Sequence, residues 1–155
     1  MDGSDAREGR SPNDTPSRRA PRTSYLIKRA QYAVYVQLEE RLKAFDLTAA
    51  QYAVFSIVGH RDGLSSAQLA RRFAVTPQTM IKLIAVLETK GLIRRSVDND
   101  NRRVLKVAVT AAGKRMLAKC EAEIDEMEDD VFASFTAREL QQFREMLSRL
   151  LAGRP

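Results

Sequence analysis

The sequence has too few thiol and imidazole side chains for several common kinds of site. Among 155 residues there is one cysteine, Cys120, and one histidine, His60. A single cysteine excludes a disulfide within the chain, and these two residues do not have the spacing of a zinc site. A catalytic nucleophile with its base, or a paired acid and base, is not indicated either. We therefore expect a protein that is not an enzyme and that carries no metal or cofactor.

Long apolar runs are also missing. Apolar residues make up 44% of the chain and charged residues 30%, which is ordinary globular composition. The apolar stretches fall far short of the roughly 20 residues needed to span a bilayer. Acidic and arginine residues are scattered through the N-terminal segment, which lacks the apolar region of a secretory signal. We expect no membrane partner and a cytoplasmic location.

The positive charge is concentrated in the middle of the chain. The whole chain has a net charge of +6. Residues 61–106 contain ten Lys/Arg and four Asp/Glu, a net charge of +6, whereas residues 107–155 contain seven and nine, a net charge of −2. A localised basic surface is typical of a protein that binds a polyanion such as a nucleic acid.

The first half of the chain is predicted to form a tail followed by capped helices. Residues 1–22 contain glycine and proline among polar residues and predict a flexible tail, because they bury too little apolar surface to fold. From Ser24 to about residue 45, apolar residues recur every three or four positions, which predicts a long helix. Capping boxes at Thr48 and at Ser65 predict the starts of the next two helices.

The fourth predicted helix begins at Thr76, with Pro77 in the first helical position, and stops at Gly91. Its buried stripe follows helical spacing and consists of Met80, Leu83, Ile84 and Leu87. After it the period changes to two, which predicts a hairpin of residues 93–97 and 104–109 with its tip at residues 98–101. Caps at Thr110 and Thr136 then predict two final helices. The fold class is mainly α with a small β-hairpin.

Two short helices on either side of the Ala74–Val75 turn make a helix-turn-helix, and the second presents small polar and basic residues outward. A helix fits the major groove, where each base pair has its own pattern of donors and acceptors. Gln78 suits adenine, Lys82 suits guanine, and Ile81 suits a thymine methyl group. The hydroxyl groups suited to phosphate oxygens are those of Ser65, Thr76 and Thr79.

The predicted hairpin is rich in arginine: Arg94 and Arg95 lie on its first strand, and Arg102 and Arg103 follow its tip. Guanidinium groups beside a recognition helix can reach the DNA backbone or the minor groove, so the hairpin is interpreted as a DNA-binding wing. The alternative is that these arginines form a solvated rim. For Gln78, Thr79 and Lys82 the alternative is ordinary helix surface.

Three stretches of the sequence are typical of one protein family: LTAAQYAVFSIV, SSAQLARRFAVTPQTMIKLIAVLETKGLIRRS and DNDNRRVLKVAVTAAGKRM. Through them the chain resembles the MarR family of bacterial regulators over roughly residues 25–150. It implies a MarR-type domain over residues 23–155, with a winged helix-turn-helix at about 47–110. It also implies dimerisation helices at about 24–45 and 111–152, and hence a homodimer whose two winged helices bind a pseudo-palindromic operator.

One part of the sequence departs from the family pattern. The wing of the family usually reads Asp-x-Arg-Asp-x-Arg, and the aligned residues here are DNDNRR at positions 98–103. The third position is acidic Asp100 instead of arginine. Arg103 keeps the last arginine, while Arg102 would have to substitute for the missing tip arginine. Insertion of this wing into the minor groove is therefore less strongly predicted than docking of the recognition helix.

The resemblance also implies a ligand crevice between the DNA-binding and dimerisation parts. Tyr25, Arg29 and Tyr32 share one face of the first helix, and His60 ends the second helix. Phenol and guanidinium groups together can hold an aromatic carboxylate or an aromatic acyl-CoA, so these four residues are the candidate effector site of a repressor that a small molecule releases. The alternative is that the tyrosines pack at an interface with their hydroxyls in water.

Two other functions stay open at this stage. Cys120 would make the protein a redox-sensing repressor if it were reactive, but it lies within the apolar stripe of the fifth helix, where burial raises the pKa of a thiol and removes its reactivity. A winged helix that has lost DNA binding and acts as a protein-interaction adaptor is the other alternative, against which the basic middle segment argues.

Overall fold

A computed structural model of the chain describes residues 20–61, 63–97 and 105–153. Most of the predicted tail, the predicted hairpin tip, and Arg102 and Arg103 therefore lie outside the described residues. The elements, in chain order, are α1 (Thr23–Leu42), a 3₁₀ helix (Lys43–Phe45), α2 (Ala49–His60), β1 (Leu64–Ser65), α3 (Ser66–Arg72), α4 (Pro77–Thr89), β2 (Ile93–Val97), β3 (Leu105–Val109), α5 (Ala111–Val131) and α6 (Ala137–Ala152).

The predicted helix starts are confirmed. Thr48, Ser65 and Thr136 each form a complete capping box, in which the hydroxyl accepts from the backbone N–H three residues later and that residue's side chain accepts in return. Thr76 and Thr110 cap α4 and α5 through the hydroxyl alone. These bonds satisfy N–H groups that have no partner within the helix. Five helices therefore begin at positions that their own sequences specify.

The predicted first helix is not continuous to residue 45. It begins at Thr23, ends at Leu42 and is followed by the 3₁₀ turn, after which Asp46 adopts a left-handed conformation with φ of 53°. Aspartate tolerates that conformation better than most residues. The chain turns there, and Leu47 packs into the core beside α2.

The wing is an antiparallel hairpin with a third strand that the sequence did not predict. β2 pairs with β3 from Ile93–Val109 to Val97–Leu105, as the period-two pattern predicts. β1 pairs with the other edge of β3, Leu64 opposite Val107. A two-residue strand is too short to show alternation, so only the pairing partner reveals it. The sheet order is β1-β3-β2.

The core lies under the winged helix-turn-helix. Its largest fully buried side chain is Phe55 of α2, and the predicted stripe on α4 is confirmed, with Met80, Ile84 and Leu87 buried and Leu83 partly buried. Val107 of β3 closes the core from the wing side. The fold is a winged helix-turn-helix, mainly α-helical with a small antiparallel sheet, as the sequence predicts.

The two helices at the ends of the described chain are poorly covered. On α1 the predicted apolar stripe is buried only at its C-terminal end, at Leu42, whereas Ile27 is 41% exposed. On α6 no residue is buried, although its apolar side chains follow helical spacing. In the described part of the chain, no helix is long and apolar enough to cross a membrane.

Candidate nucleic-acid interface

The helix-turn-helix is held together by a tight turn between α3 and α4. The N–H of Val75 donates to the carbonyl of Ala70 over 3.1 Å, and Ala74 adopts φ of 51°, a left-handed conformation that is uncommon for alanine. The buried side chains of Leu69 on α3 and Met80 on α4 lie beneath the turn. The recognition helix therefore has a defined orientation before any ligand binds.

The outward face of α4 presents the residues that the sequence predicted. Gln78, Thr79, Ile81 and Lys82 are all exposed, and 49% of the Ile81 surface is accessible, which is unusual for a large apolar residue. Neither Gln78 nor Lys82 makes a hydrogen bond or ion pair within residues 20–61, 63–97 and 105–153. These side chains contribute nothing visible to the fold of the single chain and are available for a partner.

The predicted phosphate-binding hydroxyls lie at two helix starts. Thr76 accepts from the N–H of Thr79 over 3.1 Å, and their hydroxyls lie 2.9 Å apart. Ser65 is partly buried and caps α3. A hydroxyl that accepts from a backbone N–H still has a proton to donate. Because one of the two threonine hydroxyls donates to the other, that pair keeps one proton for a phosphate, and the capping hydroxyl of Ser65 keeps its own.

Among the described basic residues of the middle segment, some are paired with carboxylates and others are exposed. Lys90 Nζ donates to the carbonyl and the carboxylate of Asp46, at 2.5 Å each, and Arg95 pairs with Glu88. Arg94 is exposed, as are Arg71 and Arg72 in the last turn of α3. The sequence interpretation counted these two arginines in the basic segment but assigned them no function. Both lie on the first helix of the helix-turn-helix, which crosses the DNA backbone in such motifs. That position could have identified them as candidate phosphate contacts.

The pairing of Arg95 with Glu88 involves three hydrogen bonds. The Nε atom donates to Glu88 Oε2 over 2.9 Å, a terminal guanidinium nitrogen donates to the same oxygen, and the backbone N–H of Arg95 donates to Oε1 over 3.3 Å. The side-chain hydrogen bond from Arg95 lowers the pKa of Glu88 below its ordinary value. The carboxylate of α4 is thus held ionised against β2.

The candidate effector residues fall into two groups. Arg29 stacks over the ring of Tyr25, with the guanidinium carbon 5.9 Å from the ring centroid, and Tyr32 is 66% exposed on the same helix. His60 Nε2 lies 3.1 Å from Glu121 on α5. Within the described residues no hydrogen bond or ion pair joins His60 to the three residues on α1. The single chain therefore brings Tyr25 and Arg29 together and leaves His60 with a different partner.

Two cavities open at other places in the described structure. One, of about 520 Å³, lies between α5 and α6 and is lined by Phe132, Phe135 and Asp129, among others. The second, of about 350 Å³, lies between the 3₁₀ turn and α4 and is lined by Asp46 and Lys90, among others. The four candidate effector residues line neither of them.

Cys120 is fully buried. Burial, with a smaller contribution from the negative charge of Glu121, raises the pKa of its thiol to about 11. A thiol with this pKa is protonated at neutral pH and is a poor nucleophile. The described residues also contain no group of three His, Cys, Asp or Glu side chains placed to hold a metal ion.

Comparison with known proteins identifies the family. A model described as the MarR family matches residues 45–103. The transcriptional repressor Rv2887 of Mycobacterium tuberculosis is 30% identical over 126 residues, covering 81% of this chain and 91% of the relative. The chain belongs to the MarR family. The predicted resemblance is thereby confirmed, and with it the expectation that the chain is a DNA-binding regulator and not an enzyme.

Solved structures of MarR-family proteins have the same fold. A crystal structure of MarR superimposes with a TM-score of 0.78 at 28% identity, covering 86% of this chain and 91% of that one. A complex of Staphylococcus aureus MepR with DNA superimposes with a TM-score of 0.74 at 25% identity, covering 86% and 99%. Rv2887 has been crystallised with p-aminosalicylic acid, and that structure superimposes with a TM-score of 0.69 at 28% identity, covering 84% and 98%.

Proposed function

We propose that this MarR-family protein is a dimeric repressor that binds a pseudo-palindromic operator and is released by a small aromatic acid or its CoA thioester. The observation that carries the DNA part of the proposal is the outward face of α4. That face presents Gln78, Ile81 and Lys82 without partners in the described chain, on a helix that is fixed from beneath by Met80 and Ile84. The MepR structure, which contains DNA, supports this assignment.

The proposed contacts fall into those that select bases and those that hold the backbone. Gln78, Ile81 and Lys82 select bases in the major groove, since their side chains suit adenine, a thymine methyl group and guanine. Phosphate contacts come from hydroxyl groups at the helix starts and from arginines of α3 and of the wing. They comprise Ser65, Thr76, Thr79, Arg71, Arg72 and Arg94, together with Arg102 and Arg103, which lie outside the described residues.

The dimer part of the proposal rests on the poorly covered helices α1 and α6. On α1, Tyr25, Leu26 and Ile27 are exposed, and on α6 Leu150 and Leu151 are exposed, so both helices present apolar side chains to water in the single chain. An apolar face of this kind is typical of an interface. The cavity between α5 and α6 has acidic residues in its lining, whereas the exposed N-terminal half of α1 has Lys28 and Arg29, and Arg22 precedes it. Opposite charges favour packing α1 of one copy near the cavity of the other.

The effector part of the proposal rests on Tyr25, Arg29, Tyr32 and His60. Arg29 supplies a guanidinium for a carboxylate, and the two phenols supply flat apolar surface with a polar edge. The binding of p-aminosalicylic acid, an aromatic carboxylate, to the relative Rv2887 supports this ligand class. We propose that the dimer partner completes the crevice, because the single chain leaves these tyrosines exposed.

The DNA proposal is tested by operator binding at several salt concentrations. A duplex selected by the wild-type protein from a random library is the probe. The logarithm of the affinity should fall with the logarithm of the salt concentration, with a slope of about −0.9 per phosphate contact. Failure to enrich any sequence, or binding that does not respond to salt, would overturn the proposal and favour a protein-interaction adaptor.

The effector proposal is tested on the bound operator. Aromatic acids, with p-aminosalicylic acid first, and their CoA thioesters are titrated against the complex. Release should require higher concentrations in Arg29→Gln and in the double variant Tyr25→Phe/Tyr32→Phe, whereas Lys28→Gln, a neighbour on the same helix, serves as the control for lost charge. Release by peroxide alone, abolished in Cys120→Ser, would favour the redox-sensing alternative.

A further inference from the structure

The two adjacent arginines of β2 point to opposite sides of the sheet. Successive side chains of a strand alternate between its faces, and directly opposed residues of an antiparallel pair share a face. Arg95 is opposite Val107, which is fully buried, and shares its face with Ile93, which is 2% exposed. Arg94 is opposite Ala108 and therefore lies on the outer face. The two side chains therefore leave β2 on opposite faces, and Arg95 still has 36% of its side-chain surface accessible.

Arg95 is bound to another residue of the same chain. Its side chain bonds to Glu88 of α4, three residues before Gly91, whose left-handed conformation (φ of 69°) separates α4 from the wing. The guanidinium and the backbone N–H of Arg95 both donate to the same carboxylate. The Glu88 carboxylate thus binds both the side chain and the backbone N–H of Arg95. These two attachments fix the distance between β2 and α4 and limit the rotation of β2 about its own axis.

We propose that Arg95 is a positioning residue that, with Glu88, fixes the wing against the recognition helix, and that Arg94 is the DNA-contacting arginine of β2. The inference rests on the proposed function and deepens it, since it divides the wing arginines into one that binds DNA and one that sets where the wing lies. It also replaces the prediction that Arg95 itself contacts DNA.

Arg95 could either contact a phosphate or position the wing. These two functions predict opposite changes in DNA affinity when Glu88 is removed. Removing an acidic residue from a DNA-binding surface ordinarily strengthens binding, because it reduces repulsion from phosphate. If Arg95 bound phosphate, the loss of Glu88 would also free its guanidinium for the DNA. If the pair positions the wing, the loss of Glu88 weakens binding although a negative charge has been removed.

The first experiment uses the free protein and needs no DNA. Hydrogen exchange of the Arg95 amide is compared in the wild type, in Glu88→Ala, in Glu88→Gln and in the control Asp46→Asn. The control removes the acidic partner of Lys90, which caps the C-terminal end of the same helix. We expect exchange at Arg95 to become about tenfold faster in Glu88→Ala, with a smaller change in Glu88→Gln and none in Asp46→Asn. Unchanged exchange in Glu88→Ala would overturn the proposal.

The second experiment measures affinity for the selected operator duplex. Glu88→Ala should bind roughly two- to fivefold more weakly than the wild type, the range expected for loss of a partly exposed ion pair, while Asp46→Asn should bind at least as tightly. The exchanged pair Glu88→Arg/Arg95→Glu should recover only part of the lost affinity, because it restores the ion pair but leaves the backbone N–H of residue 95 without its carboxylate acceptor. Tighter binding by Glu88→Ala, or an exchanged pair weaker than either single variant, would overturn the proposal.

The two experiments also separate this inference from the proposed function. If the wild-type protein bound no DNA, the proposed function would fail, while the exchange result would still decide whether Glu88 restrains β2. Arg94→Ala adds an independent measurement, because loss of one phosphate contact should reduce the salt slope by about 0.9. An unchanged slope in Arg94→Ala would contradict its assignment as the DNA-contacting arginine.

Discussion

A Cβ atom on Gly113 would lie 2.0 Å from the carbonyl oxygen of Leu92, closer than any two such atoms can approach. The same carbonyl accepts from the N–H of Thr110 over 3.0 Å, so the first turn of α5 packs directly on the backbone that enters the wing. Glycine at position 113 is what permits this close approach.

Substitution of this glycine should therefore destabilise the protein. We expect Gly113→Ala to lower the free energy of unfolding by about 1–3 kcal/mol, because backbone atoms must shift to admit the methyl group. Gly59→Ala is the matched control. There the added carbon would lie 2.2 Å from the side-chain Cδ2 of Leu117, and the three nearest atoms all belong to side chains, which can rotate, so we expect a smaller loss than in Gly113→Ala. Equal losses in urea unfolding of the two variants would contradict this explanation.

Base-selecting and phosphate-binding residues should respond differently to mutation. Lys82→Ala should weaken binding to the selected operator by about 1–3 kcal/mol and leave binding to random DNA nearly unchanged, because its contact is to a base edge. Arg71→Ala and Arg72→Ala should weaken binding to both kinds of DNA and lower the salt slope. Competition titrations at several salt concentrations measure both quantities, and an equal loss of both affinities in Lys82→Ala would exclude base readout by that residue.

The exposed apolar face of α6 should be needed for dimerisation. Leu150→Glu places a charge where the proposed interface buries an apolar side chain, so we expect a larger fraction of monomer in sedimentation velocity at micromolar concentration. Gln142→Glu adds the same charge at an exposed polar position of the helix and should leave the dimer intact. A wild-type protein that sediments as a monomer, or no difference between the variants, would contradict the proposed interface.

The buried thiol should not react in the folded protein. Because burial raises the pKa of Cys120 to about 11, almost no thiolate is present at pH 7–8, and a thiol reagent should modify it only after denaturant unfolds the chain. Peroxide should likewise leave the operator complex intact. Rapid modification of native protein, followed by loss of DNA binding that Cys120→Ser prevents, would establish redox sensing instead.

The capping box of α6 should make stability depend on pH. Hydrogen bonds from the backbone N–H and the hydroxyl of Thr136 lower the pKa of Glu139 below its ordinary value of 4.5. Its ionised form therefore stabilises the folded state above that pH, and the contribution is lost as the pH falls through the lowered value. Wild type and Glu139→Gln should differ in unfolding midpoint at pH 7 and converge in strong acid. In a Thr136→Ala background the difference at pH 7 should shrink.

Much of the fold was predictable because its signals are local. A capping box joins residues three apart, and the buried stripe of α4 repeats with the turn of the helix, so Thr48, Ser65, Thr76, Thr110 and Thr136 could each be interpreted without knowledge of the rest of the chain. The charge of the middle segment and the family motifs indicated DNA binding for the same reason. Both are properties of short stretches of sequence.

The partners of individual side chains were not predictable in this way. β1 exists only because Leu64 lies beside Val107, which is far from it in sequence. His60 was predicted to share an effector site with Tyr25 and Arg29, and its contact with Glu121, which the packing of α2 on α5 creates, was not predicted. These relationships depend on which elements pack together, and periodicity carries no information about that.

The basic residues of segment 61–106 show most clearly which properties the sequence sets and which the fold sets. The amino-acid sequence determined that the protein has a winged helix-turn-helix with a concentrated positive charge, since helix caps, periodicity and charge are local properties of the sequence. Only the tertiary structure decided that Lys90 and Arg95 pair with Asp46 and Glu88, while Lys82 and Arg94 have no such partner within residues 20–61, 63–97 and 105–153. The physical reason is that a guanidinium or ammonium group has the same charge in any sequence, and only the fold sets the distance from that charge to a carboxylate.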